Sequence, residues 1–496
     1  MIELPEWLYS SEQARELDRR AAAIPGYENG HLMRLAGIAG FRSLQALWPG
    51  TRSLAVCCGP GNNGGDGFVV AGLAATSGLQ VYLVEFGEPK TPDAKRAHRY
   101  ALASGASVVP FHPDVLSGVE VVVDAILGTG FKRPLEGLIL EGIRAINASG
   151  KPVLSLDVPS GLNSDTGEAA KDAVGATATI SFICLNPGIV TGSGPDRCGR
   201  VLFDSLQVPE TVFSGMQPVA ARISTWRVAG MLQMLPCRHH KGDAGHLLVV
   251  GGALGMSGAV CLAGEAALRV GAGLVSVATR AEHAAYLNAG CPELMVNGIE
   301  SGSDLSALLQ RATAVVVGPG LGLGSWGRDL LSRVLEIELP LVVDADGLNL
   351  LSEQPVTAAN WILTPHPGEA ARLLDGSTRE VQRDRLGAVR RIQERYGGVC
   401  TLKGAGTLIA TPNGSLSICN RGNPGMASAG MGDLLAGVIG SLLAQGLDLG
   451  EAAKCGTWLH SAAADLAAAD GERGMMARDL LPSLRRLVDN PAAADE

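Results

Sequence analysis

One feature limits the fold of this chain more than any other: an alternation of short β-branched runs with longer helical stretches, carried through twice. From about residue 53, SLAVCCG, QVYLVEF, VEVVVDAIL, PVLSLDVP and ATATISFI read as buried strands, each followed by turn residues. Such alternation implies a parallel sheet with right-handed crossovers. Residues 205–240 break the rhythm with Pro, Ser, Gly and scattered apolar residues. It resumes with HLLVVGG, GLVSVATR, TAVVVGPG, PLVVDADG, NWILTPHP and GVCTLKGAG. At ~150 residues per domain, 496 residues allow two to four, and the break suggests two α/β domains, 1–215 and 222–496. A capping box at Ser10 and Gln13 predicts an opening helix. A glycine- and alanine-rich helical region from Met426 to about Ala469 closes the second series, and the final PAAADE reads as a loose tail.

Charge and cysteine usage narrow the class. A net charge of −9 without a basic patch argues against nucleic acid as a partner. It does not exclude a phosphate-bearing small molecule, which backbone amides can hold. The ten cysteines show no CxxC and no metal-type Cys/His spacing, so they are expected to be reduced core residues of a cytoplasmic protein. The N-terminal segment is too polar for a signal peptide. The longest clean apolar run, Leu434 to Ala444, is too short to span a bilayer.

The 66 glycines, about 13% of the chain, cluster after the predicted strands, where α/β proteins bind ligands. In CCGPGNNGGDGFVV, Gly59, Gly61 and Gly64 satisfy GxGxxG, with Glu85 at the end of the next strand. This dinucleotide fingerprint makes a dehydrogenase the rival reading. The crowd of polar side chains at Asn62, Asn63 and Asp66 is unlike a dehydrogenase turn, and a ligand-free Asn-Gly turn is the plainer alternative. Asp124, Asp157 and Ser160 end two further strands, and in an open parallel sheet these loops gather on one edge with Asn63. Hard oxygen donors without a carboxylate cluster suit a weakly held monovalent cation better than zinc.

No GxxxxGK[ST] occurs, so phosphate must be held without a P-loop. In GNPGMASAGMGDLLAGVIG, Gly430, Gly432 and Asp433 sit where a glycine loop enters a helix expected to begin near Asp433. Free amides and the helix dipole there would stabilise charge on a transferred phosphoryl group, and Asp433 could take a proton from an attacking hydroxyl. Asp433 could equally be an N-cap. Its context favours a site. His366 and Glu369 lie in a proline-constrained loop, Lys403 to Thr407 suit a phosphate tail, and Gly318 to Gly322 and Asp344, Asp346 and Asn349 form two further ligand-competent turns.

PGNNGGDG, LGTG and SLDVPSG, with HLMRLAG at 31–37, resemble the NAD(P)H-hydrate epimerase domain over roughly residues 10–210. The resemblance implies a Rossmann-like, doubly wound fold. It also implies substrate contacts from Asn62, Asn63, Gly64, Gly65 and Asp66 and from Gly128, Thr129, Gly130, Phe131, Lys132, Arg133 and Pro134. Asp157 would stand at the reacting centre, with K⁺ held near Asn63, Asp124 and Ser160. HKGDAGHLLVVGG, CPELMV, VVDADGLNLL, LTPHPGEAARLL and NPGMASAGMGDLLAG resemble the ADP-dependent NAD(P)H-hydrate dehydratases of the ribokinase-like superfamily, over about 225–485. By that resemblance Asp433 is the base, and Ala259, Gly322 and His366 contact the hydrate. Lys403, Gly404, Ala405, Gly406, Thr407 and Gly432 would contact ADP with Mg²⁺. The implied activity is R/S epimerisation of NADHX or NADPHX, followed by dehydration of the S form as ADP becomes AMP and phosphate. Self-association is expected of such glycine-rich halves. A vitamin or sugar kinase, and a non-catalytic N-terminal module, are the alternatives.

Overall fold

A computed structural model describes residues 4–28, 30–130, 134–232, 236, 238 and 240–495. The chain divides into two compact units, the first ending at Ala221 and the second beginning at Arg222.

The first unit carries β1 (Trp7–Leu8), β2 (Ser53–Cys58), β3 (Gln80–Glu85), β4 (Ser107–Val109), β5 (Val121–Ala125), β6 (Val153–Leu156), β7 (Ala178–Phe182) and β8 (Arg200–Asp204). β9 (Ala220–Arg222) runs across the boundary at its end. Seven of these form one parallel sheet in the order β4-β3-β2-β5-β6-β7-β8. β1 and β9 make a short antiparallel pair. Order reverses between β2 and β5, the switch point at which a doubly wound sheet opens its binding crevice. Side chains alternate across the sheet: Leu54, Val56 and Cys58 join one apolar core, Ala55 and Cys57 the other. Two buried faces explain why these strands read as continuous apolar runs.

The second unit holds β10 (His246–Val250), β11 (Leu274–Thr279), β12 (Met295–Gly298), β13 (Ala314–Val317), β14 (Leu341–Val343), β15 (Trp361–Leu363), β16 (Val399–Leu402), β17 (Thr407–Ala410) and β18 (Leu416–Cys419). Their order is β18-β17-β16-β15-β14-β13-β10-β11-β12, parallel except at β16-β17-β18. The expected closing helical region is two helices, Met431–Ala444 and Leu449–Ala467, broken where Gly446 takes a φ of 95°. Gly437 allows the first of them to lie against the helix Ser257–Arg269, because a Cβ there would stand 2.0 Å from the Ala263 carbonyl oxygen.

The tail corrects one expectation. Residues Pro491–Ala494 form a 3₁₀ turn with Pro491 and Ala493 buried. Asp495 accepts from Thr225 Oγ1 at 2.8 Å and pairs with Arg421. The small apolar residues of this segment are packing groups, so composition alone misread it.

Candidate active sites

In the first unit the loops after β2, β5 and β6 border a cavity of about 870 Å³. Asn62, Asn63, Asp66, Gly128, Thr129, Gly130, Pro134 and Asp157 all line it. Gly64 and Gly65 do not. They are buried in the first turn of the helix Asn62–Thr76, which begins directly at the Asn-Asn pair, so this segment is a helix start and not an Asn-Gly turn. Phe131, Lys132 and Arg133 lie outside the described residues.

Asp157 is held in the left-handed region at φ 66°, a strain on the order of 1 kcal/mol. Its Oδ2 accepts from the Thr129 amide at 2.9 Å. Burial raises its proton affinity against that hydrogen bond. Asp66 is pushed well above the carboxylate range by burial and by the charges of Asp157 and Asp18. Asp18 faces the same cavity from the helix Ser11–Ala22. It is accessible from the cavity but walled by protein elsewhere, and burial together with Asp157 lifts it to about 7. Motif reading missed Asp18 because it sits outside any glycine loop. Its helix, SEQARELDRRAA, also carries Glu12 and Glu16, so nothing local sets Asp18 apart.

Asp124 and Ser160 stand behind the cavity. Asp124 is fully buried and accepts from Ser155 Oγ at 2.9 Å, Ser160 N at 2.9 Å, Ser160 Oγ at 2.6 Å and Ile126 N at 3.3 Å. Ser160 Oγ also accepts from Leu127 N at 2.9 Å, and Asn63 Nδ2 donates to Leu127 O at 2.9 Å. Asn63 Oδ1 is buried without a hydrogen-bond partner. An orphaned amide oxygen beside a main-chain carbonyl is the donor type a large monovalent cation accepts.

In the second unit, Asp433 occupies the third position of the helix Met431–Ala444. The cap is Gly430 at φ 87°, and no side chain caps the helix. Asp433 is therefore not the N-cap. Burial and the nearby Asp344 and Asp346 charges raise its proton affinity to about 6, against the pull of Lys403. Lys403, at the end of β16, holds Asp344 Oδ1 at 2.6 Å and lies 3.9 Å from Glu369 Oε2. Burial would lower its proton affinity, and those two carboxylates reverse that. Burial lifts Glu369 to about 7. His366 caps the helix Pro367–Leu373, accepting on Nδ1 from Gly368 N at 2.9 Å and Glu369 N at 3.4 Å. Its Nε2 sits 3.3 Å from Glu369 Oε1, and burial and the Lys403 charge lower its proton affinity.

Gly322 donates its amide to Asp346 Oδ2 at 2.8 Å; a Cβ built on Gly322 would lie 3.7 Å from Met256 Cε, and one built on Gly320 would lie 2.8 Å from Met256 Cβ and 3.2 Å from Ala259 Cβ. Ala259, Gly322, Asp346, Asp433, Gly432, Lys403 and His366 thus belong to one connected neighbourhood. The Gly404–Thr407 turn is closed by Thr407 Oγ1 donating to Gly404 O at 3.1 Å. It is backed by the buried Arg385, whose Nη2 reaches the carbonyls of Leu402, Lys403 and Gly406 at 3.3–3.4 Å. Arg385 was not foreseen, since it lies in a helix with no motif. Among the described residues no three His, Cys, Asp or Glu side chains gather as metal ligands.

Fold and sites together define an α/β enzyme of two catalytic units, one around a crevice of carboxyl groups and one around a glycine-rich helix start suited to phosphoryl transfer. A family model described as NAD(P)H-hydrate dehydratase matches residues 247–486, and one described as YjeF-related protein N-terminus matches 29–188. The bifunctional NAD(P)H-hydrate repair enzyme of Coxiella burnetii is 48% identical over 490 residues, 97% of this chain and 99% of that protein. The Escherichia coli one is 42% identical over 498 residues, 100% of this chain and 96% of that one. An ADP/ATP-dependent NAD(P)H-hydrate dehydratase from Bacillus subtilis, co-crystallised with ATP and Mg²⁺, is 28% identical with a TM-score of 0.50, covering 54% of this chain and 96% of its own. The chain belongs to the bifunctional NAD(P)H-hydrate repair enzymes, with an epimerase unit ahead of a dehydratase unit.

Proposed function

We propose that the first unit interconverts the R and S hydrates at C6 of the damaged nicotinamide ring through Asp157, and that the second dehydrates the S form at the expense of ADP through Asp433. The observation that carries the second assignment is the placing of Asp433. It stands in the first turn of a helix whose leading amides are uncapped by any side chain, close to Lys403, with a proton affinity raised to about 6. A base must accept a proton near neutral pH, and phosphoryl transfer needs charge stabilisation aimed at the transferred group.

In this reading Asp433 takes the proton of the C6 hydroxyl as its oxygen attacks the terminal phosphoryl group of ADP, and AMP leaves. The ring nitrogen lone pair then expels phosphate from C6. Loss of a C5 proton restores the dihydronicotinamide. Lys403 and the Gly404–Thr407 amides would hold the phosphates, with Gly432 beside them, while Ala259, Gly322 and His366 would border the hydrate. Mg²⁺, which would neutralise phosphate charge, fits as an ion brought in on the nucleotide, because the described residues of the unit offer it acids but no cage.

In the epimerase unit Asn62 to Asp66 and Gly128 to Pro134 would border the substrate. Asn63, Asp124 and Ser160 would hold K⁺, a role favoured by the unsatisfied Asn63 Oδ1. A cytoplasmic location suits the nine described cysteines, none of which is paired, and no helix is long and apolar enough to cross a membrane among the described residues. Self-association rests on the glycine-rich composition of the two units. Incubating NADHX with ADP should restore the absorbance of the reduced cofactor and release AMP and phosphate. A stable phosphorylated product would instead mark a kinase. Asp433→Asn should abolish restoration and leave R/S interconversion intact.

A further inference from the structure

We propose that Asp344 is a positioning residue of the dehydration reaction, which pins the Lys403 ammonium and keeps Asp433 competent as a base. The inference rests on the reading of Asp433 as that base. A lysine that binds phosphate and a carboxylate that must accept a proton are poor neighbours, since an ammonium a few ångströms away lowers a carboxylate's proton affinity. Asp344 resolves the conflict. Its Oδ1 holds Lys403 Nζ at 2.6 Å and accepts from Thr364 Oγ1 at 2.8 Å. Its Oδ2 points the other way: a Cβ built on Gly432 would lie 3.6 Å from it and 3.3 Å from Lys403 Nζ. The pair therefore abuts the turn that carries Asp433.

Local structure indicates that this orientation is not incidental. Asp344 occupies the N-cap of the helix Ala345–Glu353, where an aspartate side chain ordinarily bonds the first free amides, a contact worth ~1 kcal/mol. Here it makes no capping bond. The next residue, Ala345, sits at φ 49°, a left-handed conformation that alanine resists. The carboxylate is 1% exposed. A forgone cap, a strained neighbour and a buried charge all serve to turn the side chain toward Lys403.

The other ionisable groups around Asp433 are engaged. Asp346 accepts from Gly322, Glu369 accepts from the His366 amide at 2.8 Å, and His366 caps its own helix. His460, on the helix Leu449–Ala467, is held neutral by burial and by Lys403, at about 4. On the packed helix Ser257–Arg269, Glu265 is closed against Arg478 at 3.0 Å. Asp344 is thus the charge best placed to offset Lys403 at the base, and its charge does raise the proton affinity of Asp433.

The test is the acid limb of kcat/KM for dehydration, measured on the full chain. In the wild type it should lie near pH 6, the proton affinity of Asp433, and it should persist in Glu369→Gln. In Asp344→Asn it should move down by about one pH unit, the effect of one nearby charge. In Lys403→Gln it should move up, and in the double variant it should return to the wild-type position while the KM for ADP stays raised. The double variant leaves no buried ammonium unpaired, so it and Lys403→Gln decide the matter if Asp344→Asn does not fold. A merely structural Asp344 would lower activity without moving the limb, and an unmoved limb in Asp344→Asn, or a double variant displaced from wild type, overturns the proposal. Disappearance of the limb in Glu369→Gln overturns it too. Activity surviving in Asp433→Asn would instead remove the base on which it rests.

Discussion

Gly64→Ala offers a sharp test of how the epimerase unit builds its site. Gly64 is buried in the first turn of Asn62–Thr76, and a Cβ there would lie 1.8 Å from the Gly59 carbonyl oxygen and 2.8 Å from its carbon. An ordinary carbon–oxygen contact is ~3.4 Å, so the chain must open by roughly 1.5 Å. Gly59 has no room to retreat, because its own Cβ position is 1.9 Å from Ile126 O at the end of β5. The helix start must move instead, carrying Asn63 off Leu127 O, which it holds at 2.9 Å, and shifting Asp66 in the cavity wall. Overpacking of this kind costs about 1–3 kcal/mol. A displacement of about 1 Å at a reacting site costs on the order of 10²-fold in rate. R/S interconversion, assayed on resolved epimers against the spontaneous background, should fall by about that factor, while ADP-dependent restoration from the S form is kept in the same sample. Gly61→Ala is the stability control, since nothing lies within 4 Å of its Cβ position. A folded Gly64→Ala chain that epimerises at the wild-type rate would refute the reasoning.

Three further outcomes can be checked. Asp157→Asn should slow interconversion by about 10²–10⁴-fold without affecting dehydration, and Asp18→Asn should lower it less while altering its pH profile, because Asp18 lines the same cavity and its proton affinity is raised by burial and by the Asp157 charge. His366→Ala should lower the melting transition of the second unit, through a lost cap worth ~1 kcal/mol, and raise the KM for the hydrate; His366→Asn should recover the stability alone. Asp433→Asn should melt higher than wild type at neutral pH. The carboxyl group binds its proton more tightly folded, at about 6, than its ordinary 3.8, so ionisation burdens only the folded state. The gap between the two proteins should therefore grow as pH rises from about 4 to 6, hold above that, and close below 4.

The fold was legible wherever burial on both sheet faces forced β-branched runs, as in β2, β3, β5, β10 and β13. It was obscure where burial is partial. β4 (SVV) and β12 (MVNG) are short edge strands, and β8 (RVLFD) alternates too weakly to stand out. β17 and β18 carry no glycine-loop motif and turn the sheet antiparallel, which the parallel rhythm did not anticipate. The candidate sites were legible as loops, because close backbone approach at strand ends requires glycine, as at Gly59 and Gly64. Their couplings were not. Asp18 lies 139 positions from Asp157 in sequence, Asp344 is 59 from Lys403, and Arg385 supports the Gly404–Thr407 turn from behind. Such partners are fixed by packing, which no local pattern encodes. The identity of the Asp433 cap was also out of reach, since it turns on the left-handed φ of Gly430, and sequence alone could not set that residue apart from the other glycines in its loop.

The two units place the carboxyl groups proposed to react by different means, and the proposed cycle gives a reason. Asp157 is fixed by a strained φ on the wall of an open cavity that it shares with Asp66 and Asp18. An epimerase leaves the R/S equilibrium unchanged, so carboxyl groups that can exchange protons beside C6 suit its task. Asp433 is fixed on a rigid helix start, beside one ammonium and the carboxylate that offsets it. That arrangement is directional, as suits a step that cleaves a phosphoanhydride and runs one way. A one-way drain on the S form pulls a freely reversible epimerase along behind it. The first unit therefore needs speed and no bias, and the second needs electrostatic preorganisation.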